Sequence, residues 1–107
     1  MKRGKVILQG TMVGHVWQDE DGYWFEYTNQ YFDNPIYGSI SQTLPVEGKK
    51  YNDKKTMIPF FDGLIPEGWL LDIALDNWKI DGKDRMELLL TVCKDCIGAV
   101  SVEKEEI

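Results

Sequence analysis

The chain has 107 residues, a formal net charge of −6, 43% apolar residues and 28% charged ones. That is one domain's worth of chain, enough to bury roughly 60–70% of its unfolded surface without disulfides, and it is too apolar for a disordered segment. The acidic balance disfavours a dedicated nucleic-acid binder, and no apolar run approaches the roughly 20 residues of a membrane helix.

The N-terminal "MKRGKVILQG" holds only a short apolar run, Val6 to Leu8, where a signal peptide needs about 7 to 15 residues. A cytoplasmic location is therefore expected, with the two cysteines reduced. In chain order, "KVILQ" (5–9) and "MVGHVWQ" (12–18) read as strands separated by Gly10-Thr11. Asp21-Gly22 is a hairpin turn leading into "YWFEYT" (23–28). There Phe25 and Tyr27 are the expected inward pair, since Glu26 on the opposite face belongs in water. "FDNPIYG" (32–38) reads as a turn, and "SISQTLP" (39–45) as one more extended piece. "GKKYNDKK" (48–55), with four lysines, reads as a solvated loop.

The period then changes. "TMIPFFDGL" (56–64) predicts a short helix capped by Thr56, with Pro59 in the first turn and Gly63 closing it. "PEGWLLDIALDNW" (66–78) predicts a second, with Pro66 at its first position and Glu67 at the positive end of its dipole. "DGKDRMELLLTVCKD" (81–95) carries Met86, Leu89, Leu90 and Cys93 at i, i+3, i+4 and i+7, with Asp81 and Asp84 at its start. "CIGAVSVE" (96–103) returns to extended structure. The predicted fold is α+β: a small curled antiparallel sheet or partial barrel, with two to three helices in the C-terminal half, as a single domain over 1–107.

Chemistry is sparse. Cys93-Lys94-Asp95-Cys96 is a CxxC, but a structural zinc site needs four ligands and a redox pair belongs at a helix N-terminus. Cys93 sits instead near a helix C-terminus, on the apolar stripe. A redox or zinc protein stands as the weaker alternative. His15, the single histidine, has no nucleophile motif tied to it, and no phosphate-binding glycine loop is present. No metal, cofactor or catalytic residue is expected, and a binding domain outranks an enzyme. Among the tryptophans, Trp78 reads as core, and Trp17 and Trp24 as a cross-strand pair. Trp69 follows Pro66-Glu67-Gly68, and either staples its helix onto the sheet or anchors an interface.

Taken together, "FEY" (25–27), "PIYGSIS" (35–41), "TLP" (43–45), "FFDGLIPEG" (60–68), "LLL" (88–90) and "DCIGAV" (95–100) carry a resemblance. From about Phe25 to Val100 the chain resembles the N-terminal domain of HipA-type serine/threonine kinase toxins. It departs at Cys93, where that family often has glycine. In full-length HipA proteins a kinase core follows this domain; none is in these 107 residues, so no kinase activity is expected. The resemblance implies a stand-alone, HipS-like component of a tripartite toxin–antitoxin system. It also implies a HipT-like kinase toxin as partner, with a HipB-like helix-turn-helix protein possible in a larger complex. The implied role is neutralisation of the kinase, the alternative being a subunit that supports toxicity. Direct nucleic-acid or membrane binding is not expected. Pro66, Glu67, Gly68 and Trp69 are the expected contact: a projecting tryptophan at a helix start, shaped to enter a cleft.

Overall fold

The computed structural model describes residues 2–65, 85–92 and 99–105. Within them one antiparallel sheet carries the architecture. Its strands are β1 (Lys2–Leu8), β2 (Thr11–Asp19), β3 (Gly22–Tyr27), β4 (Lys50–Asp53) and β5 (Val100–Lys104), in the spatial order β4-β3-β2-β1-β5. Three short helices accompany it: α1 (Asn29–Asp33), α2 (Pro59–Asp62) and α3 (Arg85–Val92). The α+β expectation holds, and the sheet is open, with β4 and β5 as its two edges.

Alternation along the strands sets the two faces. Val6, Val16, Phe25, Tyr27 and Val102 are fully buried on one side, where Phe61, Met86, Leu88 and Leu89 from the helices meet them. Burying each such side chain contributes about 1.5–3 kcal/mol, so this layer is the main source of stability. Leu88 is as buried as the Met86/Leu89/Leu90 stripe, so α3 sinks into the core over more of its circumference than an amphipathic surface helix does. Close approach at β2 depends on Gly14. A Cβ there would stand 2.5 Å from the Glu26 carbonyl oxygen and 2.7 Å from the Phe25 ring.

The hairpin at Asp21-Gly22 forms as read, with Gly22 at φ 111°. Trp17 and Trp24 face each other across it, their rings stacked at 5.9 Å and nearly parallel.

Four local expectations are corrected. Residues ahead of Asn34-Pro35 form α1, in the N-terminal half, because Thr28 caps it by accepting the Tyr31 N–H. The 39–45 stretch is a run of turns with one bridge, Ser41 to Leu44, because its backbone groups bond to tyrosine hydroxyls and to the Ser41 hydroxyl instead of to a neighbouring strand. The lysine-rich stretch contains strand β4: Tyr51 points inward against the core while Lys50 stays exposed, a period of two that charge composition hides. Thr56 does not cap α2. The N-cap is Ile58 without a side-chain bond, and Thr56 instead gives its N–H to Asp53. The helix read over 66–78, with Trp69 and Trp78, the Asp81/Asp84 start, and Cys93 and Cys96 lie outside the described residues.

Candidate partner-binding site

Pro66, Glu67, Gly68 and Trp69 also lie outside the described residues, which end on that side at Ile65. What leads up to them is firmly held. Phe61 is fully buried and Ile65 nearly so. The Phe61 ring packs 5.4 Å from Phe25 and edge-on to Phe60 at 5.1 Å. Pro59, whose ring supplies no N–H, occupies the start of α2, where none is needed. Successive N–H groups of Asp62, Gly63, Leu64 and Ile65 are all bonded back into this segment, so the backbone is satisfied up to Ile65. Asp62 also accepts from Arg85 Nε at 2.7 Å, tying α2 to α3.

Beside α2 opens a cleft of about 640 Å³, bounded by Tyr23, Lys55, Thr56, Pro59, Asp62 and Arg85. Its lining mixes cations with one carboxylate, and Arg85 is already committed to Asp62. It is a polar recess beside the C-terminal end of α2.

The residues 34–45 that follow α1 are held by three phenols, of which Tyr51 donates to the Pro45 carbonyl at 2.5 Å. Tyr27 donates to the Leu44 carbonyl at 2.5 Å and accepts from the Ile40 N–H at 3.0 Å. Tyr31 donates to the Gly38 carbonyl at 2.7 Å and accepts from the Tyr37 N–H at 3.1 Å. Burial raises the Tyr27 pKa above its ordinary value, which keeps the phenol neutral and donating. The loop so fixed carries Ile36 and Tyr37, which with Met12 are the exposed large apolar side chains among the described residues. In the sequence these positions read as a turn and as part of the family stretch 35–41. The signal available was a pair of large apolar residues set between Pro35 and Gly38, where no core is within reach.

On the face of the sheet away from the helices, Lys50 places its ammonium 4.8 Å from the Trp24 ring centre and 5.7 Å from that of Trp17. Trp24 Nε1 donates to Asp19 at 2.9 Å. His15 lies between Arg3 and Glu105, its Nε2 3.2 Å from the Glu105 carboxylate. Arg3 Nε is also 3.2 Å from that oxygen but without hydrogen-bond alignment, so the contact is an ion pair only. Burial, then the Arg3 charge, lowers the His15 pKa against the opposing pull of Glu105 and Glu26. His15 is thus a paired residue on the sheet surface. No three metal-ligating side chains converge among the described residues, and no described helix is long and apolar enough to cross a membrane.

An open five-stranded antiparallel sheet, backed on one face by short helices and bearing a tyrosine-pinned loop, defines a small α+β domain. The model for the HipA N-terminal domain matches residues 4–103, and the chain belongs to that family. It is 31% identical over 106 residues to an uncharacterized protein of Haemophilus influenzae, covering 99% of this chain and 95% of that one. Among solved structures it is similar to the N-terminal domain of HipA toxin, at 30% identity and a TM-score of 0.72, covering 99% of this chain and 94% of that chain. The similarity to a relative of nearly the same length supports a stand-alone, HipS-like form of the domain.

Proposed function

We propose that this chain is the neutralising component of a toxin–antitoxin system: it binds a HipA-type serine/threonine kinase toxin and blocks its active-site region, without catalysis or a cofactor of its own. The observation that carries the reading is the family match across residues 4–103, taken with the resemblance to HipA proteins in which a kinase core follows this domain. A protein without chemistry acts by occupancy, either filling a cleft or holding its partner in an inactive shape.

The contact assigned to it is Pro66-Glu67-Gly68-Trp69. The core residues Phe61 and Ile65 and the Asp62–Arg85 pair anchor the segment just before it. Trp69 enters the kinase cleft, Gly68 allows close backbone approach, and Glu67 meets cations around a phosphate site. A HipB-like DNA-binding protein is a further member of the complex.

The test is co-expression with the cognate kinase, together with a kinase assay on the purified pair. Wild type restores growth and suppresses phosphorylation. Trp69→Ala keeps its melting temperature but binds weaker by about 2–4 kcal/mol, roughly 30- to 1000-fold. Full neutralisation by Trp69→Ala refutes the wedge, and stimulation of the kinase by wild type refutes neutralisation itself.

A further inference from the structure

β4 is an edge strand, and its outer side is built to receive another chain. The Tyr27 N–H donates to the Lys49 carbonyl, which sets the alternation along the β3–β4 ladder. Lys49, Tyr51 and Asp53 therefore turn their backbone groups toward β3, and Lys50 and Asn52 turn their N–H and C=O groups outward. No described backbone group bonds to Lys50 or Asn52 from that side. Their side chains are occupied elsewhere: Lys50 lies over Trp24, and the Asn52 amide donates to the carbonyls of Asp21 and Tyr23. Among the described residues, therefore, nothing pairs with this edge, and it borders a groove of about 200 Å³ lined in part by Leu44, Tyr51, Ile58 and Pro59.

Charge selects the occupant. Lys50 opens this four-residue strand, and Lys49, Lys54 and Lys55 flank it, in a chain whose net charge is −6. Asp53, the acid within the strand, has its carboxylate engaged by the N–H groups of Lys55 and Thr56. A second copy pairing edge to edge would set the same lysines against each other. Among the described residues, the acids at the other edge of a second copy already lie against cations of their own chain: Glu105 against Arg3 and His15, and Glu103 in register with Lys5 across the ladder.

We propose that β4 is a docking edge for an extended acidic segment of a partner protein, which adds as a sixth strand. It pairs its backbone with Lys50 and Asn52, sets an apolar side chain against Leu44 and Ile58, and aligns carboxylates with the lysines. The proposal rests neither on the Trp69 contact nor on the partner being a kinase.

The experiment uses the intact chain, ¹⁵N-labelled, titrated with a blocked eight-residue peptide of alternating Glu and Val, and in parallel with its Lys/Val counterpart. The acidic peptide is expected to shift and protect the Lys50 and Asn52 amides, and the basic one to leave them unchanged. Lys54→Glu with Lys55→Glu, both exposed positions, should keep the melting temperature and weaken the acidic peptide about fivefold or more, as should raised salt. Four results overturn the proposal: no shift at Lys50 and Asn52 at millimolar peptide, equal binding of the basic peptide, self-association through β4 in sedimentation, or tighter binding of a DNA oligonucleotide by the same lysines.

Discussion

Tyr27→Phe removes one oxygen from a side chain with no solvent exposure. That oxygen serves the Leu44 carbonyl and the Ile40 N–H, and neither has another hydrogen-bond partner among the described residues. Each buried group left unsatisfied costs about 1–3 kcal/mol. Some relaxation of the 39–45 turns recovers part of this, so the expected loss is about 2–4 kcal/mol. At about 4 °C per kcal/mol for a domain of this size, the melting temperature should fall by about 8–16 °C. Thermal and urea unfolding measure the loss, and hydrogen exchange at the Ile40 amide locates it. The control is Tyr31→Phe, whose bonds to Gly38 and Tyr37 are part-buried, so water replaces the hydroxyl and the loss stays below about 1 kcal/mol. A Tyr27→Phe protein within 2 °C or so of wild type, or with unchanged Ile40 protection, would show that the phenol does not hold the loop.

Gly14→Ala forces a Cβ against the Glu26 carbonyl and the Phe25 ring, and should cost more than about 2 kcal/mol in urea unfolding; an unchanged midpoint contradicts the close approach. Phe61→Ala empties the contact between α2 and Phe25 and should cost about 3–5 kcal/mol, measured the same way. For His15 the folded pKa is below the ordinary 6.5, so the unfolded chain takes up its proton first. Stability should therefore fall as pH drops from about 7 through 6.5 toward the lowered folded value, and His15→Gln should flatten that slope; an identical slope in the variant removes His15 as its source.

Much of the fold was legible because it rests on local rules. The Asp21-Gly22 turn, the inward Phe25/Tyr27 pair, the Trp17–Trp24 partnership and the Val100/Val102 alternation all follow from backbone geometry and a period of two. The candidate site was legible only in part. The motif running through residues 60–68 marked the family, and the structure adds that its first half is core, with Phe61 buried and Pro59 leading the helix. The edge at β4 was hidden because four lysines in eight residues look like a solvated loop, and their strand character depends on Tyr51 finding a core to enter.

The sequence by itself determined the α+β class and the family, because hairpin turns, helical periods and the family's motifs are written in spacing between near neighbours. Tertiary structure decided which polar groups are satisfied by residues far along the chain. Tyr27 reaches Leu44 and Ile40, Arg85 reaches Asp62, and Arg3 and His15 share Glu105. It also decided that β1 lies between β2 and β5, bringing the chain's two ends into one sheet. Such pairings are contests among distant partners for a few buried donors and acceptors, and only the folded chain shows which partner won.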